Sequence, residues 1–158
     1  MPAGTEIERK FLVGEPPPDL ERHPSEPLRQ GYVAVDDGVE VRVRRKGDRH
    51  LLTIKSGSGR VRVEEELEID ARRFDALWAL TEGRRIAKTR YRVPVDDGLT
   101  AEVDVYDGDL AGLVVAEIEF DSPEQGDAFE PPGWLGREVT DDSRYGNRTL
   151  AVEGRPET

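Results

Sequence analysis

The chain contains no cysteine, which removes disulfides, thiol nucleophiles and cysteine-bound metals from consideration. It has two histidines, His23 and His50, too few for a histidine-rich zinc site. His23 falls in a proline-rich loop and His50 opens a strand on its apolar row, so both read as structural. Aromatic residues make up only 6%, so no aromatic-lined niche for a heterocycle is evident. No apolar run approaches the roughly 20 residues of a membrane helix, and no signal-peptide core is recognisable near the N-terminus. A soluble, cytoplasmic protein is therefore expected. Basic residues are also outnumbered, 23 Lys and Arg against 34 Asp and Glu, for a net charge of −11. That balance argues against nucleic acid or an anionic membrane as a partner of the whole surface, although a local basic patch can still hold an anionic ligand.

What the chain does have is charge and alternation. Charged residues reach 36%, above the roughly 25% of an ordinary globular chain. Disorder does not account for this excess, because strand-like alternation recurs between turn signals. With 158 residues the chain is expected to form one domain with a real core. About eight strands are predicted. The first runs through Glu6-Ile7-Glu8-Arg9-Lys10, and others cover residues 28–35, 39–46, 50–55, 60–69, 84–95, 99–106 and 113–121. Turn signals such as Asp36-Asp37-Gly38 and Asp97-Gly98 separate them. Residues 14–27 carry five prolines and read as a loop with one short helical turn at most. Asp70 is a plausible N-cap for a helix over 71–82 that stops at Gly83, with Phe74, Leu77, Trp78 and Thr81 on one packing stripe. Short helices are expected after Ser122 and over 141–151. Eight mostly hairpin-linked antiparallel strands predict a mainly β protein closed into a barrel.

The charged residues recur at spacing two, so each strand presents them on one face. They are also sorted by sign. Glu6/Glu8, Glu64/Glu66, Glu102/Asp104 and Glu117/Glu119 are carboxylate pairs, while Arg42/Arg44 and Lys88/Arg90 are basic, with Lys10 and Lys55 completing the set. A solvent face usually mixes signs, and like charges at spacing two repel unless a counter-ion lies between them. Uncompensated charges cannot line a dry core. They can line a wet tunnel, with the apolar rows outward under the Phe74/Trp78 helix and the C-terminal segment. Carboxylates without His or Cys suit Mg²⁺ or Mn²⁺, and guanidinium and ammonium groups suit phosphate.

On these residues the chain resembles the CYTH superfamily, the triphosphate tunnel metalloenzymes. Glu6-x-Glu8-x-Lys10 looks like that family's N-terminal signature. It is followed in order by Arg42-x-Arg44, Thr53-x-Lys55, Arg62-x-Glu64-x-Glu66, Lys88-x-Arg90, Glu102-x-Asp104 and Glu117-x-Glu119, so the likeness spans nearly the whole chain. Gln30-Gly31-Tyr32, Lys88-Thr89-Arg90-Tyr91, Trp134-Leu135-Gly136 and Glu138-Val139-Thr140 are most similar to short bacterial tripolyphosphatases. The resemblance implies an eight-stranded antiparallel tunnel and metal-dependent attack of water on a terminal phosphoryl group. Lys10, Arg42, Arg44, Lys55, Arg62, Lys88, Arg90 and Arg144 would then contact phosphate. Glu6, Glu8, Glu64, Glu66, Glu102, Asp104, Glu117 and Glu119 would hold Mg²⁺ or Mn²⁺, although Glu64 and Glu66 can equally pair with basic neighbours. Lys10 and Tyr32 would form a proton-handling pair, with a wall aromatic as the alternative for Tyr32. The substrate is expected to be inorganic tripolyphosphate. A class IV adenylate cyclase, a thiamine triphosphatase and a non-catalytic polyphosphate-binding module are the competing readings. The number of subunits is open, and a homodimer is one arrangement the sequence permits.

Overall fold

The computed structural model describes residues 7–36, 38–58 and 61–157, and the side chains of residues 57, 58, 61 and 62 fall outside that description. Glu6 and the Arg62 side chain, both expected at the site, therefore lie outside the described residues. Eight antiparallel strands form one sheet: β1 (Ile7–Leu12), β2 (Ser25–Asp36), β3 (Val39–Lys46), β4 (Arg49–Ser58), β5 (Val61–Glu68), β6 (Arg85–Pro94), β7 (Thr100–Tyr106) and β8 (Val114–Phe120). They lie in the order β1-β8-β7-β6-β2-β3-β4-β5. Three short helices complete the chain, α1 (Ala71–Trp78), α2 (Pro123–Ala128) and α3 (Asn147–Glu153). None of the described helices is long and apolar enough to cross a membrane.

Local chemistry accounts for the boundaries. The Asp70 carboxylate accepts from the Arg73 N–H and caps α1, and Ser122 does the same for α2 through Gln125 with Pro123 at the first helical position. The α-helix expected over 71–82 ends at Trp78, and residues 79–81 tighten into a 3₁₀ turn before Gly83 at φ +82°. That turn sits close on β2. A Cβ placed on Gly31 would lie 2.6 Å from the Thr81 side chain, so only glycine allows the approach.

The expected ring is not closed by hydrogen bonds among the described residues, because β1 and β5 occupy the two edges of the sheet. The physical reason is that the outer edge of β1 is already taken. Leu12 donates to the Arg137 carbonyl, while Gly136 and Val139 donate to the carbonyls of Leu12 and Lys10. The Lys10 N–H donates to the Thr140 hydroxyl. The C-terminal segment thus protects an edge that would otherwise invite pairing.

The sheet is strongly curled all the same. Three residues of one short stretch, Tyr145, Asn147 and Arg148, touch Lys10 on β1, Lys88 on β6, Tyr106 on β7 and Glu40 on β3. A flat sheet would put about 24 Å between β1 and β3.

Two apolar clusters flank this curve. On the convex face Phe11, Val93, Ala101, Val103, Ala116, Ile118 and Phe120 bury against Leu20, Phe129 and Leu135. Farther round that face, α1 stacks Phe74 on Trp78 at 5.4 Å and tilts Phe74 against His50 at 5.1 Å. The second cluster lies inside the curve, where Tyr32, Ile86, Tyr106 and Val115 pack with Tyr145, Leu150 and Ala151. The expected cover of the convex side by the C-terminal segment is supplied by residues 129–135, while α3 seats on the concave side, because the inner row turns apolar at that end and needs a cover.

Candidate functional site

Residues directly opposite in an antiparallel pair share a face, so the register traces the concave surface strand by strand. Glu8 faces Glu119, and Lys10 faces Glu117, which faces Glu102, which faces Arg92. One step inward, Asp104 faces Arg90, which faces Glu26. Gln30 faces Arg44 and Tyr32 faces Arg42, which faces Thr53, which faces Glu66. Glu40, Lys55 and Glu64 form the last line. Every described charged pair singled out by spacing therefore meets on one face. A β-bulge at Val33 breaks the register just after Tyr32, as bulges near sites often do.

The face is not uniform. On β6 and β7 the charges neutralise one another: Lys88 Nζ lies 2.8 Å from Asp104 Oδ2, and Arg90 forks onto the same carboxylate at 2.8 and 3.0 Å. The Arg90 Nη1 reaches Glu102 at 3.0 Å. Lys88 and Asp104 are both 5% exposed. Burial alone would raise the Asp104 pKa, but the Arg90 hydrogen bonds and the Lys88 charge override it and hold the carboxyl below the ordinary aspartate range. On β3 the cations lack such partners. The Nε atoms of both Arg42 and Arg44 are buried without a hydrogen-bond acceptor. Glu66 gives Arg44 one long contact of 3.5 Å and also accepts from the Thr53 hydroxyl at 3.3 Å. Burial, followed by the Arg42 charge, lowers the Arg44 pKa. Buried donors without acceptors are rare and costly in folded proteins. Two neighbouring guanidinium groups left this way have donors to spare for an anion.

The other predicted residues fall as follows. Lys10 donates to the Tyr145 carbonyl at 3.4 Å, and Lys55 lies 3.9 Å from Glu64. Tyr32, 2% exposed, keeps its ring in the inner apolar cluster and accepts from Gln30 Nε2 at 3.0 Å. Burial raises the Tyr32 pKa despite the opposing Arg42 charge, so the hydroxyl stays protonated at neutral pH. Arg144 sits apart from this group. It is exposed and clasps Asp142 at 2.6 and 2.9 Å.

Sequence reasoning missed Asn147, whose Oδ1 accepts from the Tyr106 hydroxyl at 3.2 Å and from Lys88 at 3.5 Å. An asparagine opening a helix reads as a cap, so no sequence signal could have found it. Arg9 was also missed. It points to the convex side, pairs with Glu138 at 2.7 Å and donates to the Gly126 and Phe129 carbonyls, and so fastens the C-terminal segment.

Whether the carboxylates suit a divalent ion can be judged from their pairing. Among the described residues no three of them converge into a ready metal nest. Yet Glu8 opposes Glu119 and Glu102 opposes Glu117 on one face. Like charges directly opposite are destabilising, and an all-oxygen set of this kind matches Mg²⁺ or Mn²⁺. The residues fit such an ion.

Fold and site together define a curled antiparallel sheet whose concave face gathers its basic and acidic rows. The chain belongs to the CYTH domain family, which it matches over residues 4–146. It is 48% identical over 149 residues to an inorganic triphosphatase of Nitrosomonas europaea, covering 94% of this chain and 97% of that protein. An inorganic triphosphatase of Acetivibrio thermocellus is 42% identical over 150 residues, covering 93% of each. Among solved structures, the inorganic triphosphatase NE1496 superposes with a TM-score of 0.82 at 45% identity, covering 94% of this chain and 95% of that one.

Proposed function

We propose that this protein hydrolyses inorganic triphosphate, releasing phosphate and diphosphate, with the anion held on the concave face. The carrying observation is the pair of buried, acceptor-less Nε groups on Arg42 and Arg44, which a phosphate oxygen would satisfy. Close similarity to proteins named inorganic triphosphatase supports the choice of substrate.

Each residue has a task that its position supports. Arg42 and Arg44 grip phosphate from β3, Lys55 from β4, and Lys88 and Arg90 from β6. Arg62, whose side chain lies outside the described residues, is added to the set from the sequence pattern alone. Lys10 approaches from β1, its ammonium held by the Tyr145 carbonyl. The protonated Tyr32 hydroxyl donates a hydrogen bond to the anion. Tyr32 and Lys10 reach the substrate from different strands, and proton handling is shared between them. Water attacks the terminal phosphorus, the bridging P–O bond breaks with its electron pair on the leaving diphosphate oxygen, and the water's proton passes to that diphosphate or to solvent as phosphate forms.

Glu8, Glu117 and Glu119, with Glu6 and Glu102, would hold Mg²⁺ or Mn²⁺. When bound, the ion supplies charge neutralisation and Lewis acidity. Asp104, Glu64 and Glu66 already face cations and are assigned to holding those cations; Glu102 also meets Arg90 but stays with the metal group because it directly opposes Glu117. Arg144, exposed and paired with Asp142, would contact substrate only by exchanging that partner for it.

The test is phosphate release from inorganic triphosphate, ATP and thiamine triphosphate, each with Mg²⁺, Mn²⁺ or EDTA. Rapid release from inorganic triphosphate that EDTA abolishes, with ATP slow, is expected. Cyclic AMP from ATP would assign a cyclase instead, and tight binding without any release would leave a polyphosphate-binding module.

A further inference from the structure

The Tyr32 hydroxyl has one proton to give and two lone pairs to share. Its oxygen already accepts from Gln30 Nε2 at 3.0 Å, and the Arg42 side chain bears on the same oxygen. Both neighbours are donors at that point, so neither can take the hydroxyl proton. Gln30 is itself 5% exposed. It lies two residues before Tyr32 on the same strand face, opposite Arg44 on β3 and Ile86 on β6. A buried carboxamide among charged and apolar neighbours costs free energy unless it serves a partner, and among the described residues its side-chain hydrogen bond goes to Tyr32.

We infer that Gln30 is a positioning residue: its side-chain amide holds the Tyr32 oxygen as an acceptor and so aims the Tyr32 proton at an oxygen of the bound triphosphate. This rests on the triphosphate reading above. Without Gln30 the hydroxyl is free to rotate and part of its donor population points elsewhere. The bulge at Val33 shifts the β2–β3 register directly after Tyr32 before pairing resumes at Ala34, so Gln30 bears on the ring's polar tip from the side of the strand where the register is unbroken.

A double-mutant cycle tests the inference. Gln30→Met keeps length and volume, Gln30→Leu is a second apolar variant, and Tyr32→Phe removes the hydroxyl. Either Gln30 variant is expected to lower kcat/KM for inorganic triphosphate roughly five- to tenfold, the net size of one hydrogen bond. In the Tyr32→Phe background the same change should cost less than about twofold, because the group through which Gln30 acts is gone. Urea midpoints show whether each variant is folded. The cycle is run in parallel on the dissociation constant for inorganic triphosphate in EDTA. If the wild type binds but does not hydrolyse, the functional reading fails while the binding cycle still decides the Gln30 role. Equal losses in the wild-type and Tyr32→Phe backgrounds, or no loss from folded Gln30→Met or Gln30→Leu protein, would overturn it.

Discussion

Arg42-x-Arg44 and Lys88-x-Arg90 look alike as sequence, two basic residues on one strand face, yet they occupy opposite electrostatic states. Lys88 and Arg90 share the buried Asp104 carboxylate through contacts of 2.8 to 3.0 Å. Arg42 and Arg44 crowd each other and leave both Nε groups without an acceptor. The first pair is anchored within the protein and offers a rigid, partly neutralised wall. The second keeps unspent hydrogen-bonding capacity. Spacing reports which face a charge occupies, and the neighbouring strand decides whether that charge is already answered.

Breaking this contrast gives predictions of decreasing size. Asp104→Asn should be the most damaging to stability, because it strands Lys88 and Arg90 in a buried setting. A loss of about 3–5 kcal/mol is expected from urea unfolding, and an unchanged midpoint would mean that the ion cluster is not a structural unit. Next, Glu8→Gln should remove nearly all divalent-ion-supported turnover while leaving the thermal unfolding temperature within a few degrees. Full activity in this variant would take Glu8 out of the metal set. Arg44→Ala should behave as the inverse of Asp104→Asn, with a KM for inorganic triphosphate roughly ten- to a hundredfold higher and stability changed by less than about 1 kcal/mol. If it unfolds the protein instead, the two basic pairs are not different in kind.

Acid provides a gentler probe of the same contrast. The folded-state pKa of Asp104 is depressed, so its contribution to stability is present above the ordinary aspartate value and fades as pH falls through the lower folded value. Stability of the wild type should therefore decline below about pH 4, and Asp104→Asn should flatten that decline. The smallest effect is expected at the surface. Asp142 is held at about 2 by Arg144, which NMR titration would register, yet Asp142→Asn should leave the unfolding midpoint unmoved because exposed ion pairs add little.

Much of the molecule is legible in the sequence. The eight strands, the Asp70 cap, the Gly83 stop and the common face of the charged residues all follow from alternation and capping. These are local properties, since a residue's face depends only on its neighbours along one strand. The closed ring is not decided that way. Whether β1 pairs with β5 or with residues 136–140 depends on segments far along the chain, the second of them more than 120 positions away, and no local pattern encodes that choice.

The site divides along the same line. Sequence by itself put the charges of each strand on one face of that strand, Glu8 with Lys10, Arg42 with Arg44, Lys88 with Arg90 and Glu117 with Glu119, because strand side chains alternate with period two, and the pairing register then joined those faces into one surface. Only the tertiary structure decided that Asp104 is consumed by two cations and that Gln30 holds the Tyr32 hydroxyl. It also seated α3 over the apolar end of the curve and brought Asn147 to Lys88. Those outcomes turn on ångström-scale distances between strands and on burial, which set the strength of every charge and hydrogen bond and which a linear pattern does not contain.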